Sequence, residues 1–204
     1  YDKPLYLYRT GTRDYTDEMN ALMDSGLHTA TVSLDGFAND HNWMRGNPHS
    51  FERAVEAIRM MVETPQLVSD VVTCVNKHSL LRLPEMKEFL IRLGVKRWRI
   101  FTIVPMGRAS TDQDLQLSNA EFRQVMDFIR VTRKEGRIRL DYGCEGFLGN
   151  YEGEVRNHFF ACQAGVTVGS VLIDGSISAC TSIRSDFHQG NIYQDDFMEV
   201  PAPP

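Results

Sequence analysis

Two cysteines, Cys162 and Cys180, carry the most specific chemistry in this chain. Twelve residues separate Cys162 from Gly175, and four separate Gly175 from Cys180. Between them Val166, Val168, Val171 and Ile173 supply strand-type apolar positions. Asp174-Gly175 is a two-residue hairpin turn, and Ile177 opens the return strand. A hairpin of this length brings its ends together, and thiolates converging there suit an iron–sulfur cluster or zinc. The same spacing also fits a plain hairpin with two buried thiols or one disulfide. Cys144 stands 18 positions before Cys162, in Asp141-Tyr142-Gly143-Cys144-Glu145-Gly146. Cys74 sits in an apolar run and reads as a small hydrophobe.

Other chemistries leave no signature. The six histidines show no spacing suited to zinc, and there is neither a phosphate loop nor a Gly-x-Ser-x-Gly elbow. A net charge of −5 without a basic run argues against nucleic acid as a main partner. No apolar run approaches the roughly 20 residues that span a bilayer. The chain starts without a signal peptide. Four cysteines are too few for a disulfide scaffold, and three of them fall between 144 and 180. That clustering favours metal ligation in a reducing compartment, so a cytoplasmic location is expected. The start, without Met and almost directly in a strand, and the Pro-Ala-Pro-Pro finish suggest part of something longer.

The elements that must position these residues follow a strand–helix rhythm. Leu5–Tyr8 reads as a strand, then a helix capped at Thr16 and stopped at Gly26. His28–Leu34 is the next strand, followed by a loop over Asn39–Gly46 and a helix capped by Ser50 with Phe51, Ala54, Ile58, Met61 and Val62 on one face. Val68–Val75 is a β-branched run of the kind buried on both faces. Pro84 opens a helix bearing Met86, Phe89, Leu90 and Leu93, and Gly94 ends it. Arg97–Val104 is a strand; Ser118 and Glu121 form a capping box; Ile138–Tyr142 is the last strand. Four strand–helix units and a further strand imply an α/β fold: part of a parallel (β/α) barrel over 1–141, then a small β-hairpin domain over 142–204. Chemistry in such sheets gathers at the C-terminal strand ends, where Thr10, Ser33, Asp35, Asn76 and the Val104 backbone lie.

Those strand ends carry a resemblance. Ser33-Leu34-Asp35-Gly36, then His41, Arg45-Gly46 and Ser50-Phe51-Glu52 resemble the fourth βα unit of radical S-adenosylmethionine (SAM) enzymes with a SPASM domain. Arg99-Ile-Phe-Thr-Ile-Val-Pro-Met-Gly-Arg108 resembles the family's sixth strand, which lies along the adenine of SAM. Cys162-x12-Gly175-x4-Cys180 and Gly190-Asn191-Ile192 resemble the opening of the auxiliary-cluster module. The resemblance covers most of the chain and is closest to the Bacteroides-type SPASM proteins. It implies SAM as cofactor, with Ser33 and Arg45 on its methionyl carboxylate and with Asp35, Asn76 and Val104 as further SAM-site residues. It also implies an auxiliary [4Fe–4S] cluster with Cys162, Cys180 and Cys144 as ligands, and a peptide or cofactor-precursor substrate. An Arg fork matches a carboxylate in geometry and charge.

One departure matters. The family's Cys-x3-Cys-x2-Cys, which binds the SAM-cleaving cluster, does not occur here. The polypeptide as written is therefore expected not to cleave SAM. Two other readings compete: a non-catalytic α/β binding module with a structural metal site, and a different barrel enzyme using Asp35 and His41 on a divalent metal. An open edge at Leu5–Tyr8 is expected to pair with further strands or with another chain, which would make a homo-oligomer.

Overall fold

The computed structural model describes residues 5–9, 21–105, 107–143, 146–157, 161–180 and 188–199, with the backbone alone at 5–9 and 107–108. Thr10 and Cys144 fall outside them. The chain divides into two compact units, residues 1–159 and 160–204.

Five strands build the first unit: β1 (Leu5–Arg9), β2 (Leu27–Ser33), β3 (Val68–Val75), β4 (Arg97–Thr102) and β5 (Arg139–Tyr142). They form one sheet in sequential order, and every pairing is parallel. Between them run α1 (Ala38–Arg45), α2 (Ser50–Val62), α3 (Lys77–Leu80), α4 (Leu83–Arg92) and α5 (Asn119–Glu135). Sequential parallel strands need crossover connections, which as a rule are right-handed and so place the intervening helices on one face. The partial-barrel expectation is thus borne out.

The helices form where the sequence supplies caps and an apolar face. Ser118 Oγ accepts from Glu121 N, and Glu121 Oε2 accepts from Ser118 N at 2.7 Å, a reciprocal cap for α5. Ala54, Ile58 and Met61 of α2, Met86 and Leu90 of α4, and Val125, Met126 and Ile129 of α5 join Val32, Val71, Trp98, Ile100 and Leu140 in one core. Each fully buried aliphatic side chain there contributes about 1.5–3 kcal/mol.

Three local expectations need correction. Residues 38–45 are a helix rather than a loop; the segment lacks an apolar face, so its main signal is Gly46, which closes it in the left-handed conformation (φ 62°). Ser50 is not the cap of α2. The capping position is His49, without a side-chain bond, and the Ser50 hydroxyl lies 3.1 Å from His41 Nε2. Nor is β3 buried on both faces: Val71, Thr73 and Val75 are buried, whereas Val68 is 46% exposed.

The opposite face of this sheet carries a cluster of paired polar side chains beside Val68, Val72 and Phe101. Thr31 of β2 donates to Asp70 of β3 at 2.6 Å, and Arg99 of β4 is paired with the same carboxylate while reaching Thr31 at 3.3 Å. Asp141 of β5 pairs with Arg133 and Arg139. A cleft of about 250 Å³ opens on this layer. Outside β1 no described strand continues the sheet. At the other margin Tyr142 N donates to Val155 O at 2.8 Å, so residues 146–157 return along β5.

In the second unit β6 (Ser170–Val171), β7 (Ser176–Ser178) and β8 (Gly190–Asn191) make a small antiparallel sheet. The hairpin turns at Asp174-Gly175 as expected, with Gly175 at φ +83°. Its strands are shorter than expected: Val166 and Val168 lie in a preceding turn, and Ile173 is fully exposed.

Candidate functional site

Parallel strands end on one edge of the sheet, and there the chain places Ser33, Asp35, Asn76 and Val104. Ser33 closes β2, paired with Val72 of β3. Two residues on, Asp35 is wholly buried. Gly36 allows the chain to pass α1, because a Cβ there would stand 2.8 Å from Asp40 Cβ.

Asp35 is the hub. Its Oδ1 accepts from Cys74 N of β3 at 3.0 Å. Its Oδ2 accepts from Arg45 Nε at 2.7 Å and lies 2.5 Å from Arg45 Nη2. Its own N–H donates to His41 Nδ1 at 3.0 Å. Burial opposes the charge on Asp35, but the Arg45 guanidinium and the Cys74 N–H favour it, and the carboxyl is held below its ordinary value. His41, also wholly buried, has its second nitrogen against Ser50. Arg45 ends α1 with its side chain 22% exposed. Asn42 ties the two helices together, its Oδ1 accepting from Phe51 N at 2.8 Å.

Asp35 and Arg45 are therefore brought together, and Ser33 lies beside them on the same strand end. Asn76 serves the fold visibly: its Oδ1 accepts from His78 N and Ser79 N to cap α3, and its Nδ2 faces Met44 Sδ at 3.6 Å. Val104 follows β4 and is 52% exposed. The Thr31–Asp70–Arg99 group escaped the motif reading, and His41 and Ser50 stood in the motif without the link between them that the structure shows. A buried His between an Asp and a Ser, and polar residues at alternate strand positions, were the available signals. The alternative of Asp35 and His41 on a divalent metal does not survive: both carboxylate oxygens and both ring nitrogens are occupied by protein groups in a site closed to solvent.

In the second unit Cys162 is exposed, Cys180 is half-buried, and the two are not joined. The ladder pairs Ser170 with Ser178. Before it a turn folds back, Val168 N donating to Gln163 O at 3.0 Å. Among the described residues no three His, Cys, Asp or Glu side chains converge as a metal site. No described helix is long and apolar enough to cross a membrane.

A sequential parallel sheet with a buried acid gripping an arginine at the strand ends is the geometry against which the comparisons with known proteins stand. No protein-family profile matches the chain. It is similar to the AdoMet-dependent heme synthase of Nitratidesulfovibrio vulgaris, 28% identical over 65% of this chain and 35% of that protein. The protein of the same name from Methanosarcina barkeri is 27% identical over 68% of the chain and 39% of its own length. The chain thus spans a little over a third of these relatives. In fold it resembles Streptococcus suis SuiB, with a TM-score of 0.68 at 15% identity, covering 97% of this chain and 48% of that one. SuiB has also been solved with S-adenosylmethionine and with its precursor peptide SuiA. Together with the motifs at the ends of β2 and β4, these likenesses support a radical SAM relationship for the chain and the reading of it as enzyme-derived.

Proposed function

We propose that this chain supplies part of the SAM site of a radical SAM enzyme and the opening of its auxiliary-cluster domain. The observation that carries the first part is the Asp35–Arg45 pair. It presents a partly exposed guanidinium on a carboxylate two residues beyond Ser33, the last residue of β2. A methionyl carboxylate suits that donor set: Arg45 has Nη1 beyond the two nitrogens spent on Asp35, and Ser33 offers a hydroxyl. Asp35 touches no solvent and acts behind Arg45. Asn76 and Val104 remain candidates for the ribose and adenine side by resemblance alone.

Bound against a reduced [4Fe–4S] cluster, SAM would supply the radical chemistry for hydrogen abstraction from a substrate. This chain's residues would bind and orient the methionyl end; the Cys-x3-Cys-x2-Cys for that cluster does not occur in this sequence. For the auxiliary [4Fe–4S] cluster we propose Cys162 and Cys180. Two residues beyond the Ser170–Ser178 pair stand Val168 and Cys180, and the Val168–Gln163 bond draws Cys162 toward the same end of the hairpin. Cys144 is proposed as a third ligand from the resemblance. The substrate class is a cofactor precursor, after the relatives' name, or a peptide, after the SuiB complex.

SAM titration of the anaerobically reconstituted protein by calorimetry tests the reading. Arg45→Ala should weaken binding by about 1.5–3 kcal/mol, the loss of a charge-assisted hydrogen bond. Unchanged affinity removes Arg45 from the site.

A further inference from the structure

We propose that His41 is a positioning residue for Arg45, acting through Asp35, and that Ser50 anchors it from the second helix. The inference rests on the reading of Arg45 as the carboxylate-binding group and goes one residue deeper.

A main-chain N–H can only donate, so the Asp35 N–H fixes a lone pair on His41 Nδ1, 3.0 Å away. The ring proton then sits on Nε2, which faces Ser50 Oγ at 3.1 Å. With no proton on Nδ1, its 3.5 Å approach to Asp35 Oδ2 is no hydrogen bond. His41 therefore grips the Asp35 main chain and leaves the carboxylate to others. Cys74 of β3 holds one oxygen, and Arg45 takes the other through both Nε and Nη2. His41 and Arg45 lie four residues apart on α1, one turn on the same face. The circuit closes: Asp35 main chain to His41, one helical turn to Arg45, and Arg45 back to the Asp35 side chain.

This circuit addresses a specific problem. An arginine at the end of an eight-residue helix has many rotamers, and each must be frozen when a ligand binds. A buried carboxylate, itself held from β3 and α1, freezes the guanidinium beforehand and leaves Nη1 without a partner among the described residues. Ser50 Oγ on His41 and Asn42 Oδ1 on Phe51 N lock α1 to α2, so the circuit sits on a fixed base.

The test is SAM affinity by calorimetry in the anaerobically reconstituted protein, with circular dichroism and thermal unfolding of every variant. His41→Asn can put its amide oxygen near the Nδ1 position and should keep affinity close to wild type. His41→Gln and His41→Phe, which lose the Asp35 N–H acceptor, should bind about tenfold more weakly or worse, within the range for one charge-assisted hydrogen bond. In an Arg45→Ala background His41→Phe should add no further loss, because it acts only through Arg45. A purely structural role would lower the unfolding temperature in both backgrounds without that dependence and without rescue by Asn. Folded His41→Phe binding SAM as wild type does, or losses that add in full, would overturn the inference. If His41→Phe does not fold, His41→Gln carries the same two outcomes. Wild-type affinity in Arg45→Ala alone would mark instead the failure of the underlying SAM-site reading, and the inference would fall with it.

Discussion

Replacing Asp35 by Asn probes the centre of the site with the smallest change of shape. The new side chain keeps an oxygen for the Cys74 N–H, so that bond drops out of the comparison. What is lost is the charge that faces Arg45 at 2.5–2.7 Å. Breaking a fully buried ion pair costs about 3–5 kcal/mol. Water reaches Arg45, 22% exposed, and screens part of that, which leaves about 2–4 kcal/mol. The pH dependence gives an independent check. Burial opposes the Asp35 charge, but the contacts of Arg45 and the Cys74 N–H favour it, so the folded carboxyl binds its proton less readily than the unfolded one. Its stabilisation is therefore complete above the unfolded value, near pH 4, and is lost as pH falls toward the lower folded value. Urea unfolding followed by circular dichroism at neutral pH should show the full gap between wild type and Asp35→Asn. In a series carried to the lowest pH at which both remain folded, the gap should begin to close below about pH 4. A gap under about 0.5 kcal/mol at neutral pH, within the ordinary surface-substitution range, would refute the reasoning. So would a gap that stays constant in acid.

Other expectations concern both units. After anaerobic reconstitution, Cys162→Ala and Cys180→Ala should each retain less iron per chain than wild type; equal iron in either variant rejects that residue as a ligand. Gly175→Ala should lower the unfolding temperature, because residue 175 sits at φ +83° and a Cβ would come 2.5 Å from Tyr193 Cε2; an unchanged melting curve would mean the turn relaxes freely. Ser118→Ala removes the cap of α5 and should cost about 1 kcal/mol in urea unfolding. Ile58→Ala, in the core between α2 and the sheet, should cost about 2–5 kcal/mol.

Much of the architecture was legible because each element carries a local reason to form. A β-branched run marked β3, Ser118 with Glu121 marked the start of α5, and Gly94, at positive φ, marked a helix end. The helix α1 was missed for the opposite reason. Ala-Asn-Asp-His-Asn-Trp-Met-Arg has no apolar stripe, and only His41 is buried in it. Its helicity comes from tertiary ties, through His41 to the Asp35 main chain and Asn42 to α2. Composition at that segment favours a loop, and only contacts made far along the chain decide otherwise.

The same limit governs the site. Ser33, Asp35 and Arg45 stood out as candidates because strand-end position and motif coincide. The division of labour among them could not, since it depends on which atom each side chain reaches. A motif makes Asp35 and Arg45 equal candidates for a ligand; the geometry separates them, burying Asp35 and leaving Arg45 partly open. The polar cluster on the sheet repeats the point. Asp70 stands inside an apolar run and invites reading as an interruption, yet it lies opposite Thr31 in register and accepts from both Thr31 and Arg99. A carboxylate so placed is tolerated because a hydroxyl and a guanidinium from neighbouring strands satisfy it. Polar residues at alternate positions of three adjacent strands, Thr31, Asp70 and Arg99, thus form one layer that only strand register brings together.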